Sequence, residues 1–246
     1  MKSKQISFIL LIILIISGCN KEKTGDSIKN LSFSIAEELP VPEPSGLDMT
    51  FDEKGFWVVS DENSTIYLID SWGREVKSFK VEGSDVEGIT VIDEDKLAVV
   101  LERSREVVIL DTSGVELKRV KINVEGELNS GLEGITYDST GKRFYLLNEK
   151  KPRLLLTLDE NLIELRRDTL NFSKDVSGIF FDDQKNILWI VSDESESIYK
   201  TDFTGKPFDE FKIKIAQPEG ITLNKKRTKL YIVSDNTNSL YVFNLE

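Results

Sequence analysis

Five Gly-Leu or Gly-Ile pairs recur along the chain at Gly46, Gly88, Gly134, Gly178 and Gly220. Successive glycines are 42, 46, 44 and 42 residues apart. A period of this length marks a repeat architecture in which each copy is one supersecondary unit. Three copies carry the same four letters, Glu-Gly-Ile-Thr, at 87–90, 133–136 and 219–222. The other two read Ser45-Gly46-Leu47 and Ser177-Gly178-Ile179.

Each copy follows one plan. A short apolar strand after the glycine leads to a polar turn, such as Asp52–Gly55, Asp138–Lys142, Asp182–Asn186 or Asn224–Lys229. Asp and Asn bond nearby backbone N–H groups, which explains these turns without function. Second strands are expected at Phe56–Ser60, Leu97–Leu101, Phe144–Asn148, Leu188–Ser192 and Leu230–Ser234. Third strands are expected at Ile66–Ile69, Val107–Leu110, Leu154–Leu158, Ile198–Thr201 and Leu240–Phe243. Fourth strands are expected at Glu75–Val81, Glu116–Ile122, Ile163–Leu170 and Asp209–Ile215. No long segment of the mature chain carries the 3.6-residue period of an amphipathic helix. Four short antiparallel strands every 40–45 residues or so are the plan of a β-propeller blade.

The fifth copy ends after its third strand, at Leu245-Glu246. Leu31–Leu39, upstream of the first copy, is free to supply the missing strand. Such a 3+1 closure removes an open sheet edge. The sequence therefore predicts an all-β fold, one five-bladed propeller over 31–246. A sixth blade has no room in the chain. Trp57 and Trp189 hold equivalent second-strand positions and read as blade packing, whereas Trp72 lies in a polar turn and reads as exposed.

Ahead of the propeller, Lys2 and Lys4 precede an apolar run, Ile6–Ile16, and then Ser17-Gly18-Cys19. This is the layout of a secretory signal. A cysteine after Ser-Gly resembles the lipobox of bacterial lipoproteins, with Ile16 where leucine is commonest. The run is too short to span a bilayer. Residues 1–18 are expected to be a signal peptide and Cys19 the lipidated first residue. Residues 19–30 are expected to be a flexible tether. A bacterial envelope protein held at a membrane by its lipid follows, periplasmic or cell-surface, with the propeller itself a monomer.

Charge narrows the function classes. The net charge is −11, which disfavours nucleic acid as a partner. The chain has no histidine, so His-based triads and His-ligated zinc are excluded. In a propeller the first strand of each blade lines the central channel. The residue before each glycine then sits at one channel mouth, and the end of the second strand is its neighbour. The inner positions are Ser45, Glu87, Glu133, Ser177 and Glu219; the outer ones are Asp61, Glu102, Glu149, Asp193 and Asp235. Eight of these ten are acidic, where an acid content of 43 in 246 residues would supply about two. Crowded carboxylates repel, so something must offset them. A hard cation with oxygen ligands does so, and calcium suits carboxylate sites that also use carbonyls and water. Arg103 and Lys150, each next to an outer acid, offer another route to neutralisation. Backbone stapling by the inner glutamates and turn formation by the outer acids are the purely structural alternatives.

With these residues in view, the chain resembles the SdiA-regulated family of bacterial β-propellers. The resemblance rests on Pro44-Ser45-Gly46-Leu47, the Glu-Gly-Ile-Thr copies and Val-Ser-Asp at 59–61, 191–193 and 233–235. It covers about residues 33–245 and extends to phytase-like and gluconolactonase-type propellers. It implies a periplasmic or surface propeller that binds calcium, with no established reaction.

Two functions follow as expectations. One is a binding module that holds calcium at its mouth and recognises a small cationic ligand or an envelope protein. The other is a metal-dependent hydrolase of a phosphate ester or lactone. There Glu87, Glu133 and Glu219 would be ligands and Glu149 or Asp193 the base. Ser60, Ser192 and Ser234 recur but lack a conventional base, which favours the binding module.

Overall fold

The computed structural model describes residues 29–245. The expected signal peptide, Cys19 and all of the expected tether except Lys29-Asn30 lie outside the described residues. No helix among the described residues is long and apolar enough to cross a membrane.

The strands run in chain order. A short β1 (Lys29–Asn30) and β2 (Ile35–Glu38) precede the first blade. Blade one is β3 (Pro44–Met49), β4 (Gly55–Ser60), β5 (Thr65–Asp70) and β6 (Glu75–Lys80). Blade two is β7 (Val86–Val91), β8 (Lys96–Leu101), β9 (Glu106–Asp111) and β10 (Glu116–Lys121). Blade three is β11 (Leu132–Asp138), β12 (Arg143–Asn148), β13 (Leu154–Asp159) and β14 (Glu164–Thr169). Blade four is β15 (Ile179–Asp182), β16 (Ile187–Ser192), β17 (Ser197–Thr201) and β18 (Pro207–Lys212). Blade five has β19 (Pro218–Leu223), β20 (Lys229–Ser234) and β21 (Ser239–Asn244). All the regular structure among the described residues is β, and the expected strands appear within a residue or two of their sequence bounds, except that Leu31–Leu39 shortens to Ile35–Glu38 and Asp209–Ile215 shifts to Pro207–Lys212.

Closure occurs as the sequence predicts. β2 pairs antiparallel with β21, Ile35 opposite Val242 and Glu38 opposite Ser239, completing blade five. The chain adds one feature that the sequence does not announce. β1 lies parallel to β18, Lys29 opposite Phe211, so the end of the expected tether is a fifth strand on blade four.

Aspartates set the turns between third and fourth strands. Asp70, Asp111, Asp159 and Asp202 each accept backbone N–H bonds from the residues two and four further on. This one Asx turn, written four times, reverses the chain at the same place in four blades. Asp138, Asp182 and Asn224 accept similar bonds between first and second strands.

The core lies between blades. Trp57, Val59 and Ile66 of blade one pack with Val86, Val99 and Leu101 of blade two. Equivalent clusters join blades two and three, three and four, four and five, and five and one. Each sheet thus buries both faces against neighbours, which is why the second strands read as near-continuous apolar runs. Trp57 and Trp189 are buried as expected, and Trp72 is 76% exposed.

Four of the five glycines are needed where the first strands converge, and at Gly134 the space is merely tight, with 3.0 Å to the nearest atoms. A Cβ on Gly46 would lie 2.3 Å from the Glu87 carbonyl oxygen, and one on Gly88 would lie 2.4 Å from that of Glu133. On Gly178 it would lie 2.2 Å from the carbonyl oxygen of Glu219, and on Gly220 2.5 Å from the backbone nitrogen of Leu47. Only a residue without a side chain allows the blades so close at those positions. Leu47, Ile89, Ile135, Ile179 and Ile221 follow the glycines and close the channel with a buried apolar ring.

Candidate functional site: an acid-lined channel mouth

Four of the five first strands carry a register shift at the repeat, between Pro44 and Gly46, Val86 and Ile89, Leu132 and Ile135, and Pro218 and Ile221. A bulge there re-aims the side chain that precedes the glycine. The result is a recess of about 160 Å³ at one end of the channel. Nine of the ten sequence-predicted positions line it: Ser45, Glu87, Glu133, Ser177 and Glu219 from within, and Asp61, Glu149, Asp193 and Asp235 from the rim.

Glu102, the tenth, does not line the open recess. It is buried beside it, where its Oε1 accepts the Gly131 N–H at 3.1 Å. It still belongs to the cluster. One carboxylate oxygen from each of Glu102, Glu133 and Glu149 lies within 4.8 Å of the others. Gly131 is glycine for a local reason, since a Cβ there would sit 2.3 Å from the Glu102 carbonyl oxygen.

The loops are tied to one another by backbone bonds. Glu102, Glu149 and Asp235 donate their N–H groups to the carbonyls of Asp85, Gly131 and Gln217, each three residues before a repeat glycine. Inner and outer acids are therefore held in fixed relation by the fold.

The electrostatics follow from crowding without water. Glu87, Glu133 and Glu219 are half-buried by area but lie deep among protein atoms. Burial first, and neighbouring carboxylates second, hold all three well above the usual carboxylate range. For Glu87 the neighbours are led by Asp61 and Glu219; for Glu133 by Glu87 and Glu219; for Glu219 by Asp193, offset in part by a Ser177 hydrogen bond. Asp61 is pushed up to about 6 by burial, with Asp235 and Glu43 adding repulsion. Burial likewise raises Glu102, Glu149, Asp193 and Asp235.

Local cations relieve this only at the rim. Lys150 pairs with Glu149 at 2.5 Å and with Glu194 at 2.9 Å. Arg103 pairs with Asp85 at 2.7 Å. Among the described residues no Lys or Arg forms an ion pair with Glu87, Glu133 or Glu219. One buried oxygen, Asp61 Oδ1, has no hydrogen-bond donor among the described residues.

Asp175 is the site residue that sequence reasoning missed. It is buried in the recess, accepts the Ser192 hydroxyl, and takes the Glu194 N–H at 3.1–3.2 Å. It belongs to blade four, where Ser177 stands in place of glutamate. A signal for it exists: the position three before the repeat glycine is acidic in Glu43, Asp85 and Asp175. Two of the three recurring serines behave as strand-end hydrogen-bonding groups, whereas the buried Ser60 hydroxyl finds no partner among the described residues. Ser192 bonds Asp175, and Ser234 donates to the Ala216 carbonyl at 2.6 Å.

The opposite mouth accounts for the threonine of the repeat. Asp48 there accepts the Thr90 and Thr222 hydroxyls at 3.2 and 2.9 Å and the Val91 N–H at 2.8 Å. Thr136 Oγ1 accepts the Phe181 N–H at 3.0 Å. These bonds join blade one to blades two and five, and blade three to blade four.

Fold and mouth together define a class: a closed five-bladed propeller with an apolar plug and a carboxylate-lined recess at one end of its axis. The chain belongs to the SdiA-regulated family, whose model matches residues 38–244. Solved structures share the fold. Glutaminyl cyclase from Myxococcus xanthus superposes with a TM-score of 0.68 at 10% identity, over 89% of this chain and 99% of that one. A chain of the nidogen/laminin complex superposes with a TM-score of 0.61 at 15% identity, over 84% and 77%. A luciferin-regenerating enzyme superposes with a TM-score of 0.54 at 15% identity, over 85% and 94%. At these identities the likeness concerns the fold alone.

Proposed function

We propose that the acidic mouth holds a divalent cation, calcium by its ligand chemistry, and that the loaded mouth is a ligand- or partner-binding module. The observation that carries this reading is the approach of Glu102, Glu133 and Glu149 oxygens to within 4.8 Å of one another. Calcium takes oxygen ligands at about 2.3–2.6 Å, so two oxygens on one ion lie no more than about 5 Å apart. The residues fit the ion in type as well. The donors are all carboxylates deep in the protein, and among the described residues only Glu149 of the three has an ion-pair partner, Lys150. A bound cation would supply the missing countercharge and an open coordination position facing solvent. The lipoprotein-like Ser17-Gly18-Cys19 supports an envelope location, with the propeller tethered at a membrane surface.

Thermal unfolding in calcium and in chelator tests the reading. A ligand at 100 times its Kd adds about 2.7 kcal/mol, or about 5–10 °C for a domain of this size. Glu133→Gln is expected to shrink that shift while raising the Tm in chelator, because one repelling charge is gone. No calcium shift in the wild type removes the cation. An undiminished shift in Glu133→Gln moves it elsewhere. Turnover of a phosphate ester or lactone by the calcium-loaded chain, lost in Glu133→Gln, replaces binding with catalysis.

A further inference from the structure

The chain is strongly acidic, yet one recess is rimmed by cations. It lies between blades four and five, away from the acidic mouth, and measures about 490 Å³. Lys29, Lys185, Lys200 and Arg227 line it above a floor that includes Trp189 and Phe211. No acid is among the described residues that line it. Acids stand behind the rim: Asp209 pairs with Lys29 at 3.1 Å and Lys200 at 3.8 Å, and Asp182 and Asp183 pair with Arg227. Lys185 is exposed and has no ion-pair partner among the described residues.

The fold supplies a built-in comparison. Trp57 is the blade-one counterpart of Trp189, and a recess of about 350 Å³ lies beside it, between blades one and two. There Lys77 sits 5.2 Å over the Trp57 ring, as Lys200 sits 4.4 Å over Trp189. Asp52, Asp93 and Glu94 rim that recess. A hollow here thus comes with the propeller plan, and its charge is what differs.

Two further details point to an acceptor-bearing ligand. Trp189 is 2% exposed, and its indole N–H finds no acceptor among the described residues. Burial over the rings also holds the Lys200 ammonium below the usual lysine range. Lys29 is at this rim only because β1 pairs with β18, so the segment leading from the expected lipid anchor completes the recess.

We propose that the recess between blades four and five binds a phosphate-bearing ligand, its phosphate on Lys185, Lys200 and Arg227 and its organic body over Trp189 and Phe211. Ammonium and guanidinium groups converging from one strand and the turns of two neighbouring blades suit a multiply charged oxyanion. A volume of this order holds more than a bare ion. The phosphate could belong to a free solute or to a lipid headgroup, which share this chemistry.

Calorimetric titration of the full chain in mild detergent, with glycerol 3-phosphate and with monomeric dihexanoyl phosphatidate, tests the site. Saturable binding is expected, weakened at least about tenfold in Lys185→Gln/Lys200→Gln and unchanged in Lys77→Gln. Tighter binding of the acylated probe assigns a headgroup, and equal binding assigns a solute. Because Lys185 makes no ion pair among the described residues, Lys185→Gln alone checks the site in a variant whose folding is not at issue. The proposal is overturned if neither probe saturates, if the lysine variants bind as the wild type does, or if Lys77→Gln weakens binding as much as they do.

Discussion

A carboxyl group in the mouth has two ways to lower its energy: to take a proton or to face a cation. Glu87, Glu133, Glu219 and Asp61 are all raised in the folded chain, Asp61 from an ordinary 3.8 to about 6. The sign of the pH dependence follows. Between its unfolded and its folded value such a group binds more protons when folded, so stability falls as pH rises through that window. For Asp61 the window runs from about 4 to about 6. In chelator, Glu133→Gln is therefore expected to gain Tm relative to the wild type as pH rises above the ordinary glutamate range. Calcium should close or invert the gap. A gap that stays flat with pH would show that folding does not raise the Glu133 carboxyl above its unfolded value. The acids themselves are legible in the sequence because each has a fixed offset from a repeat glycine. Asp175 is harder to see, because its column, three before the repeat glycine, is acidic in only three copies and holds Gly131 and Gln217 in the others. Nor does the sequence reveal that Glu102 turns to the Gly131 N–H while its four outer counterparts line the recess.

Strands are the scale at which this sequence speaks most plainly, since short apolar runs punctuated by Asx turns leave little freedom. Register is harder to see. Each of the first four blades carries an extra residue in its fourth strand, which is the open edge in the first three: Val76, Leu117, Leu165 and Phe208, all more than half exposed. A bulge interrupts the free row of backbone donors and acceptors, which discourages edge-to-edge association. In the sequence these residues look like ordinary strand positions, and only pairing shows them as insertions. The inner strands make the opposite demand, for closest approach. Gly88→Ala would place a Cβ 2.4 Å from the Glu133 carbonyl oxygen, a backbone atom that cannot swing aside. The expected cost is about 1–3 kcal/mol in urea unfolding. Because Glu133 itself would be pushed, the calcium shift should shrink in the same variant. A neutral Gly88→Ala would mean that blades two and three are not packed this tightly.

A ring of blades is only as firm as its seam. Here the seam is β2 on β21, four residues that join the start of the propeller to its last blade across almost the whole chain. Apart from the two-residue β1 added to blade four, every other blade is held by hairpins, which are local, whereas this pairing closes a loop of about two hundred residues and carries the entropy cost of doing so. The Asp48 bonds to Thr90 and Thr222 help from the other side, since they tie blade one to both neighbours at the lower mouth. The seam is thus the place where a covalent link should matter most. Glu38 and Ser239 are directly opposite in the antiparallel pair, within the spacing that a disulfide spans. In a Cys19→Ser background, Glu38→Cys/Ser239→Cys is expected to gain about 2–4 kcal/mol when oxidised. The gain should appear as a higher urea midpoint that reductant abolishes. If the ring instead opens elsewhere first, oxidised and reduced forms will unfold together, and the seam will not be the element that limits stability. The calcium shift provides the second readout: a link at the seam lies outside the acid cluster, so the Tm difference between calcium and chelator should be the same in both redox states.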